Sequence, residues 1–492
     1  MKNKKIIYTL LLIIILIGGF LRIYRLGSQS MWTDEVSGVI ISQKDLVKII
    51  KDYDDQPPLY YVLTHLFLKV YKSDFMARFP AAIFGILAIY IFFRVTNSMF
   101  NVKTGLIASF LLSISLYHIY YSQEARAYTT LIFFTVSSLY FLWQAVPNNK
   151  YNYWLGFICT TVLGLYSHYM FSFVLFTNVL IYFILFYIKY KKMDNKSFKA
   201  FITANYRFLL SMFVILILSI LWIKGFRHLS SYRTGGESSI FKFNIDYLKN
   251  VLFRYGAGNG IPAYIYGFFF FLGMLFQFKK KKIEITALLL FLIIPFFVLS
   301  AMKSRYSFHI RYLMFTFPVF LIFVSRGISV LTDLKFLNKA IPITAIIIII
   351  AAVAINPLRF YYRMPARLSD WRGLADYMKN NYRPDTVILI GSSENIKNVA
   401  HYYTDKLIAK KMIGIDGGEE KFEALCTENR NKRLWYIADT GGFDCCVEKY
   451  FQGKIEFTSD SFYELGKKSL IDWEPWTNMD VRGYRLALYY SL

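Results

Sequence analysis

Pro57-Pro58-Leu59-Tyr60-Tyr61-Val62-Leu63-Thr64-His65-Leu66-Phe67-Leu68-Lys69-Val70-Tyr71 decides how this chain is laid out. Its apolar part, Leu59 to Tyr71, is about 13 residues long, whereas an α-helix needs about 20 to cross a hydrocarbon core. The two prolines set the start of a helix, where their missing N–H groups cost nothing. The stretch therefore reads as an in-plane or re-entrant helix. If it spanned, every later loop would change sides. Lys189, Lys191 and Lys192, and the run Lys279 to Lys282, would then face outward, against the positive-inside rule.

The rest of the chain supports a polytopic helical membrane protein. Of 492 residues, 56% are hydrophobic, 19% aromatic and only 18% charged. Apolar runs of about 17 to 22 residues recur along the chain. The formal net charge is +25, but the basic residues sit at the ends of apolar runs. That placement sets membrane orientation and attracts anionic headgroups, and it argues against nucleic acid as a partner. Lys2, Lys4 and Lys5 precede the apolar run Ile6 to Phe20 with no small-residue cleavage site, which reads as a retained anchor. Cys159 lies inside an apolar run. Cys426, Cys445 and Cys446 fall in the polar tail, where their pairing stays open.

With Leu59–Tyr71 in plane, eleven spans alternate regularly from a cytoplasmic N-terminus. They are about 6–23, 75–95, 103–120, 128–145, 154–167, 169–188, 208–224, 261–278, 283–301, 312–325 and 340–356. Val36 to Lys51 shows helical apolar spacing and is expected to be one helix in the interface. Composition changes at Asn356-Pro357, dividing a membrane domain, 1–357, from an extracytoplasmic domain, 358–492. In the latter, Trp371 to Asn380 reads as an amphipathic helix. Thr386 to Gly391 and Leu434 to Ala438 read as strands, giving a small α/β domain.

This topology gathers acids, arginines and aromatics on the outer face. The first outer loop carries Trp32-Thr33-Asp34-Glu35 and Asp54-Asp55-Gln56. Later turns carry Glu124 and Arg126, then His168, then His309, Arg311 and Tyr312. Singly, each has an ordinary reading. Acids in loops are solvated, Glu124 and Arg126 make a local ion pair, His168 sits at an interface, and Arg311 snorkels. Together, beside apolar spans where charge is costly unless used, they point to a site. Carboxylates and arginines suit transfer from a phosphate-linked donor to a hydroxyl or amine. A carboxylate takes the acceptor's proton and arginines hold the leaving phosphate.

The order of these elements resembles a known family. An acidic pair follows the first span and an acid-x-Pro-Pro-Leu-Tyr-Tyr element follows it. Arg78-Phe79-Pro80 opens the second span, and Ser122-Gln123-Glu124-Ala125-Arg126-Ala127-Tyr128 follows the third. This is similar to the GT-C membrane glycosyltransferases (family 39-like) of the dolichyl-phosphate-mannose protein mannosyltransferase and aminoarabinose transferase group. The resemblance is clearest over residues 1–190. It continues through His309-Ile310-Arg311-Tyr312 and Ser369-Asp370-Trp371-Arg372.

The resemblance implies inverting sugar transfer from a polyprenyl-phosphate carrier on the extracytoplasmic side. Asp34 is then the catalytic base or acceptor-binding carboxylate, with Glu35 supporting it. Asp55 and Glu124 match further acids of the family's site. Arg126 and Arg311 are the candidates for the donor phosphate, with His168, His309 and Tyr312 beside them. Gln56 stands where aminoarabinose transferases carry a phosphate-contacting lysine, which argues against that activity. Expected partners are the polyprenyl-phosphate-linked sugar, membrane lipids, and an acceptor that is a glycan, lipid or protein. The chemistry requires no cofactor; a divalent metal near Asp34, Glu35 and Asp55 is compatible with it but not implied. A polysaccharide ligase or polymerase stays open through the outer segment Lys224 to Asn259. A lipid-linked saccharide transporter fits less well, because the span interiors are nearly free of charge.

Overall fold

The computed structural model describes residues 2–51, 56–191, 198–220, 245–256, 261–276, 281–301, 310–331, 354–355, 357–359, 361–363, 370–390, 394–415, 418–438, 451, 453–456 and 487–490. Asp55, His309, Cys445, Cys446, residues 221–244 and 340–353 of the last expected span lie outside them. The chain divides into two compact units. One comprises Met1–Tyr24, Asp45–Phe67 and Arg78–Leu358; the other comprises Arg25–Lys44, Leu68–Ala77 and Arg359–Leu492.

The first unit is helical. It contains α1 (Lys2–Ile23), α3 (Leu46–Lys51), and most of α4 (Leu59–Val70) and of α5 (Asp74–Met99). Then follow α6 (Val102–Ile114), α7 (Leu116–Ser122), α8 (Tyr128–Asn148), α9 (Tyr151–Ser167), α10 (Phe171–Tyr190) and α11 (Phe198–Leu218). After α12 (Ile245–Tyr255) come α13 (Ile261–Leu275), α14 (Lys282–Ala301), a 3-10 helix Ile310–Thr316 and α15 (Phe317–Leu331). Among the described residues five helices are long and apolar enough to cross a membrane, and a sixth results if α6 and α7, bent by 58°, form one broken span. The described residues give no independent count of eleven. At 12 residues, α4 is about 18 Å long, well short of the ~30 Å hydrocarbon core, as expected for Leu59–Tyr71.

Val36 to Lys51 departs from expectation. It forms two helices, α2 (Thr33–Ser42) and α3, because Gln43 N–H bonds the Val39 and Ile40 carbonyls and closes the first. The start also moves. α2 begins at Thr33, so Asp34 and Glu35 sit in its first helical turn and not in an open loop.

Packing in this unit is close where glycine permits it. A Cβ on Gly273 of α13 would collide with the Phe323 carbonyl, and one on Gly327 of α15 with the Phe269 carbonyl. Beside this crossing, buried Arg326 donates from Nε to the Gly273 carbonyl at 3.1 Å and from Nη2 to that of Phe276 at 3.3 Å. It thereby caps the C-terminal end of α13 with positive charge.

The second unit holds α2 and a five-stranded sheet in the order β2-β1-β3-β5-β4. β1 (Val387–Ile390) runs parallel to β2 (Met412–Gly414) and β3 (Leu434–Ala438). β5 (Ala487–Tyr490) runs antiparallel to β3 and to β4 (Gly453–Glu456). α16 (Trp371–Asn381), α17 (Glu394–Tyr403), α18 (Lys406–Ala409) and α19 (Gly418–Glu428) accompany it. Leu389, Ile415, Phe422, Leu434, Tyr436 and Phe451 build one core, and Cys426 is buried among them. The helix and both strands expected in the tail are present, and the tail is a small α/β domain.

Candidate active site

The acidic residues sit at the start of α2. Trp32 is its N-cap in extended conformation. Glu35 is completely buried, and its Oε2 accepts from the Trp32 N–H at 3.4 Å, so its carboxylate folds back over its own helix end. This one-sided cap satisfies the N–H of the N-cap residue. Asp34, one residue earlier, is partly exposed. It stands in the first turn of α2, at the positive end of the helix dipole. The two acids thus differ in environment: one is turned inward, the other is accessible.

The basic residues gather in the helical unit. Ser122-Gln123-Glu124-Ala125-Arg126 turns sharply between α7 and α8, with Arg126 N–H donating to the Glu124 carbonyl at 2.7 Å. Gln123 fixes this turn. Its Nε2 donates to the carbonyls of Tyr24 at 2.8 Å, Arg22 at 3.1 Å and Leu21 at 3.3 Å, closing the C-terminal end of α1. Glu124 is buried at 2% exposure and Arg126 is partly exposed.

His168 lies in the turn between α9 and α10. Its ring centroid is 5.9 Å from that of Tyr128 and 6.2 Å from that of Tyr312. Arg311 lies over the Tyr312 ring at 5.7 Å. The 3-10 helix carrying Arg311 and Tyr312 is fastened by the Tyr255 hydroxyl, 2.8 Å from both the Leu313 carbonyl and Thr316 Oγ1. The charges of Arg311, Arg126 and Glu124 all reach the Tyr128 hydroxyl.

The protonation of His168 is fixed by its surroundings. Met170 N–H donates to Nδ1 at 3.1 Å, so the neutral ring carries its proton on Nε2. Burial, and then the charges of Arg126 and Arg311, push the imidazole down to about 3. The side chain is 2% exposed, and Nε2 has no hydrogen-bond partner among the described residues. The Tyr128 hydroxyl is in the same position. A buried N–H left without an acceptor costs about 1–3 kcal/mol. Two such groups beside two guanidinium groups make a place short of an acceptor, which is what an anion supplies.

Of the residues expected from sequence, Glu124, Arg126, His168, Arg311 and Tyr312 come together around Tyr128, which the sequence reading passed over although it ends the Ser-Gln-Glu-Ala-Arg-Ala-Tyr element. Gln123 was likewise missed. Gln56 lies in the same helical unit, buried at 8% exposure with Oε1 unpartnered among the described residues. Asp34 and Glu35 belong to the other unit. Asp55 and His309 lie outside the described residues. Among the described residues no three His, Cys, Asp or Glu side chains gather in the manner a metal ion needs.

Comparison with known proteins follows the same lines. Residues 55–222 match the family model for dolichyl-phosphate-mannose-protein mannosyltransferase. ArnT from Cupriavidus metallidurans in the apo state is similar at a TM-score of 0.58 and 9% identity, covering 99% of this chain and 98% of that one. The same protein bound to undecaprenyl phosphate gives 0.56 at 10% identity, covering 98% and 97%. Archaeal oligosaccharyltransferase AglB from Archaeoglobus fulgidus, in complex with an inhibitory peptide and a dolichol-phosphate, gives 0.55 at 14% identity, covering 92% and 73%. No curated protein sequence matches the chain. The chain thus has the fold of the GT-C membrane glycosyltransferases of the protein mannosyltransferase and ArnT group, and its residues 55–222 match the mannosyltransferase family itself.

Proposed function

We propose that this protein is an inverting glycosyltransferase using a polyprenyl-phosphate-linked sugar. The observation that carries this reading is the buried His168 Nε2–H, unpartnered among the described residues and flanked by Arg126 and Arg311. The anion it suits is the donor's phosphate. That phosphate is lipid-borne, because the cluster sits where apolar membrane helices end. The undecaprenyl phosphate and dolichol-phosphate bound by the two similar structures support the same class of donor.

In the reaction, an acceptor hydroxyl or amine attacks the sugar's anomeric carbon. The bond from that carbon to the phosphate oxygen breaks and the electron pair leaves with polyprenyl phosphate. The acceptor's proton passes to Asp34, and configuration at the anomeric carbon inverts. Arg126, Arg311 and the neutral His168 donor stabilise charge growing on the phosphate, so no general acid is needed. Tyr312 and Tyr128 wall this position, with Glu124 orienting the guanidinium groups. The resemblance assigns Gln56, Asp55 and His309 to the donor as well. The acceptor is extracytoplasmic and is a glycan, a lipid or a protein.

The test is transfer in purified membranes from a panel of radiolabelled polyprenyl-phosphate hexoses and pentoses. Asp34→Asn is expected to lower transfer by about 10²-fold or more. Unchanged transfer by that variant would sink the base assignment. Unchanged donor affinity in Arg311→Ala would sink the phosphate assignment.

A further inference from the structure

The Asp370-Trp371-Arg372 element, which the reaction above leaves without a role, holds the segment that precedes Asp34. Asp370 caps α16 by accepting from Gly373 N–H at 3.0 Å, and the same Oδ1 accepts from Ser30 Oγ at 3.0 Å. Arg372 N–H in turn donates to Ser30 Oγ at 3.1 Å. The Arg372 guanidinium donates to the Ser28 carbonyl at 2.7 Å, to the Gly27 carbonyl at 3.2 Å and to Asp74 Oδ2 at 2.7 Å.

Asp74 is the centre of a second set of bonds. Tyr402 donates to its Oδ1 at 3.0 Å and Tyr403 to its Oδ2 at 2.8 Å. The Tyr403 oxygen also accepts the Met31 N–H at 2.7 Å. A continuous chain therefore runs from the Met31 amide through Tyr403 and Asp74 to Arg372. Both tyrosines end α17, the helix against which α2 packs. The side chain of Asp74 is 12% exposed and that of Arg372 38%, so this ion pair is only partly screened by water.

We propose that Arg372, Asp74 and Tyr403 are positioning residues for Asp34. They fix the main chain at Gly27, Ser28 and Met31, and through it the first turn of α2. The α/β domain then acts as the mount of the catalytic carboxylate and not as an appendage. Glycosyl transfer is sensitive to such placement, since a 1 Å misplacement costs up to ~10²-fold. This inference rests on the reading of Asp34 as the base.

The test uses the full-length protein in membranes, with radiolabelled polyprenyl-phosphate sugar as donor and amide hydrogen exchange as the second measurement. Tyr403→Phe removes one oxygen and is the mild variant; Arg372→Lys and Arg372→Ala follow it. Tyr403→Phe is expected to lower kcat by about 10-fold with the donor KM within about 2-fold. It also speeds exchange at Met31 while residues 102–122 exchange as in the wild type. Arg372→Lys recovers part of the kcat that Arg372→Ala loses. Wild-type exchange over residues 25–35 in Tyr403→Phe and Arg372→Ala would overturn the proposal, and so would faster exchange with unchanged kcat. Full transfer by Asp34→Asn instead overturns the base assignment, while the exchange result still reports whether the segment is clamped.

Discussion

Nη2 of Arg22 stands 2.8 Å from Nδ1 of His118, and both side chains are wholly buried. The same guanidinium donates to the carbonyls of Leu112 at 2.9 Å and Ser113 at 3.0 Å. α6 breaks at Ser115, so those carbonyls have lost their helical donors, and an arginine from α1 replaces them. Arg22→Ala is expected to destabilise the protein by about 3 kcal/mol, because buried carbonyls are left unsatisfied. Arg22→Lys recovers only part, since one ammonium cannot reach both carbonyls and His118. Thermal unfolding in detergent checks both.

The two acids of α2 separate on substitution. Glu35→Gln keeps an acceptor for the Trp32 N–H and is expected to retain transfer, whereas Glu35→Ala costs about 1 kcal/mol of stability. Asp34→Asn is expected to lose transfer with stability nearly unchanged. Measuring both quantities on the three variants gives opposite signatures for the cap and the base.

His168 makes stability depend on pH. Its folded-state value is pushed down to about 3, while an unfolded histidine titrates near 6.5. Below ~6.5 the unfolded chain binds a proton that the folded chain refuses, so stability falls as pH falls from there towards 3. The slope reaches about 1.4 kcal/mol per pH unit for this one group. His168→Gln removes the titration and is expected to flatten that part of the curve. Unfolding measured from pH 7 to 4 compares the two.

The crossing of α13 and α15 is specific to glycine. Gly273→Ala and Gly327→Ala each drive a methyl into a backbone carbonyl of the other helix and are expected to cost at least about 2 kcal/mol. Gly267, in the same helix α13, has nothing within 4 Å of an added Cβ. Gly267→Ala is expected to be neutral or stabilising by up to ~1 kcal/mol. Unfolding temperatures of the three variants check this.

The orientation of the chain is tested by cysteine labelling. Ser37→Cys and Lys280→Cys are expected to react with an impermeant thiol reagent from opposite sides of the membrane. Labelling of both from one side would dissolve the expected outer face.

Much of this was legible in local pattern. Leu59–Val70 announced itself by a proline pair and an apolar run too short to span. Trp371–Asn381 showed helical periodicity, and β1 and β3 showed β-branched runs. The cluster of Glu124, Arg126, His168, Arg311 and Tyr312 followed from placing turns on one face. What local pattern could not show were side chains serving distant backbone. Nothing in the local pattern marks Arg22, whose carbonyl partners lie 90 and 91 residues away. Nor does it mark Asp74, whose partners lie more than 290 residues on. Gln123 enters only as part of the Ser-Gln-Glu-Ala-Arg-Ala-Tyr element, yet it closes α1. Glu35 looked like the twin of Asp34 until its carboxylate proved to be spent on its own helix end.

The hydrogen bond between Ser30 and Asp370 joins residues 340 positions apart. A ribosome adding about 5–20 residues per second delivers the second partner tens of seconds after the first. During that interval the segment before Asp34 has emerged without Arg372 or Tyr403. The nascent chain therefore carries Asp34 before the bonds that hold the preceding segment can form. Under the proposed clamp, a chain ending before Asp370 is expected to insert its first spans yet to leave the segment before Asp34 unheld.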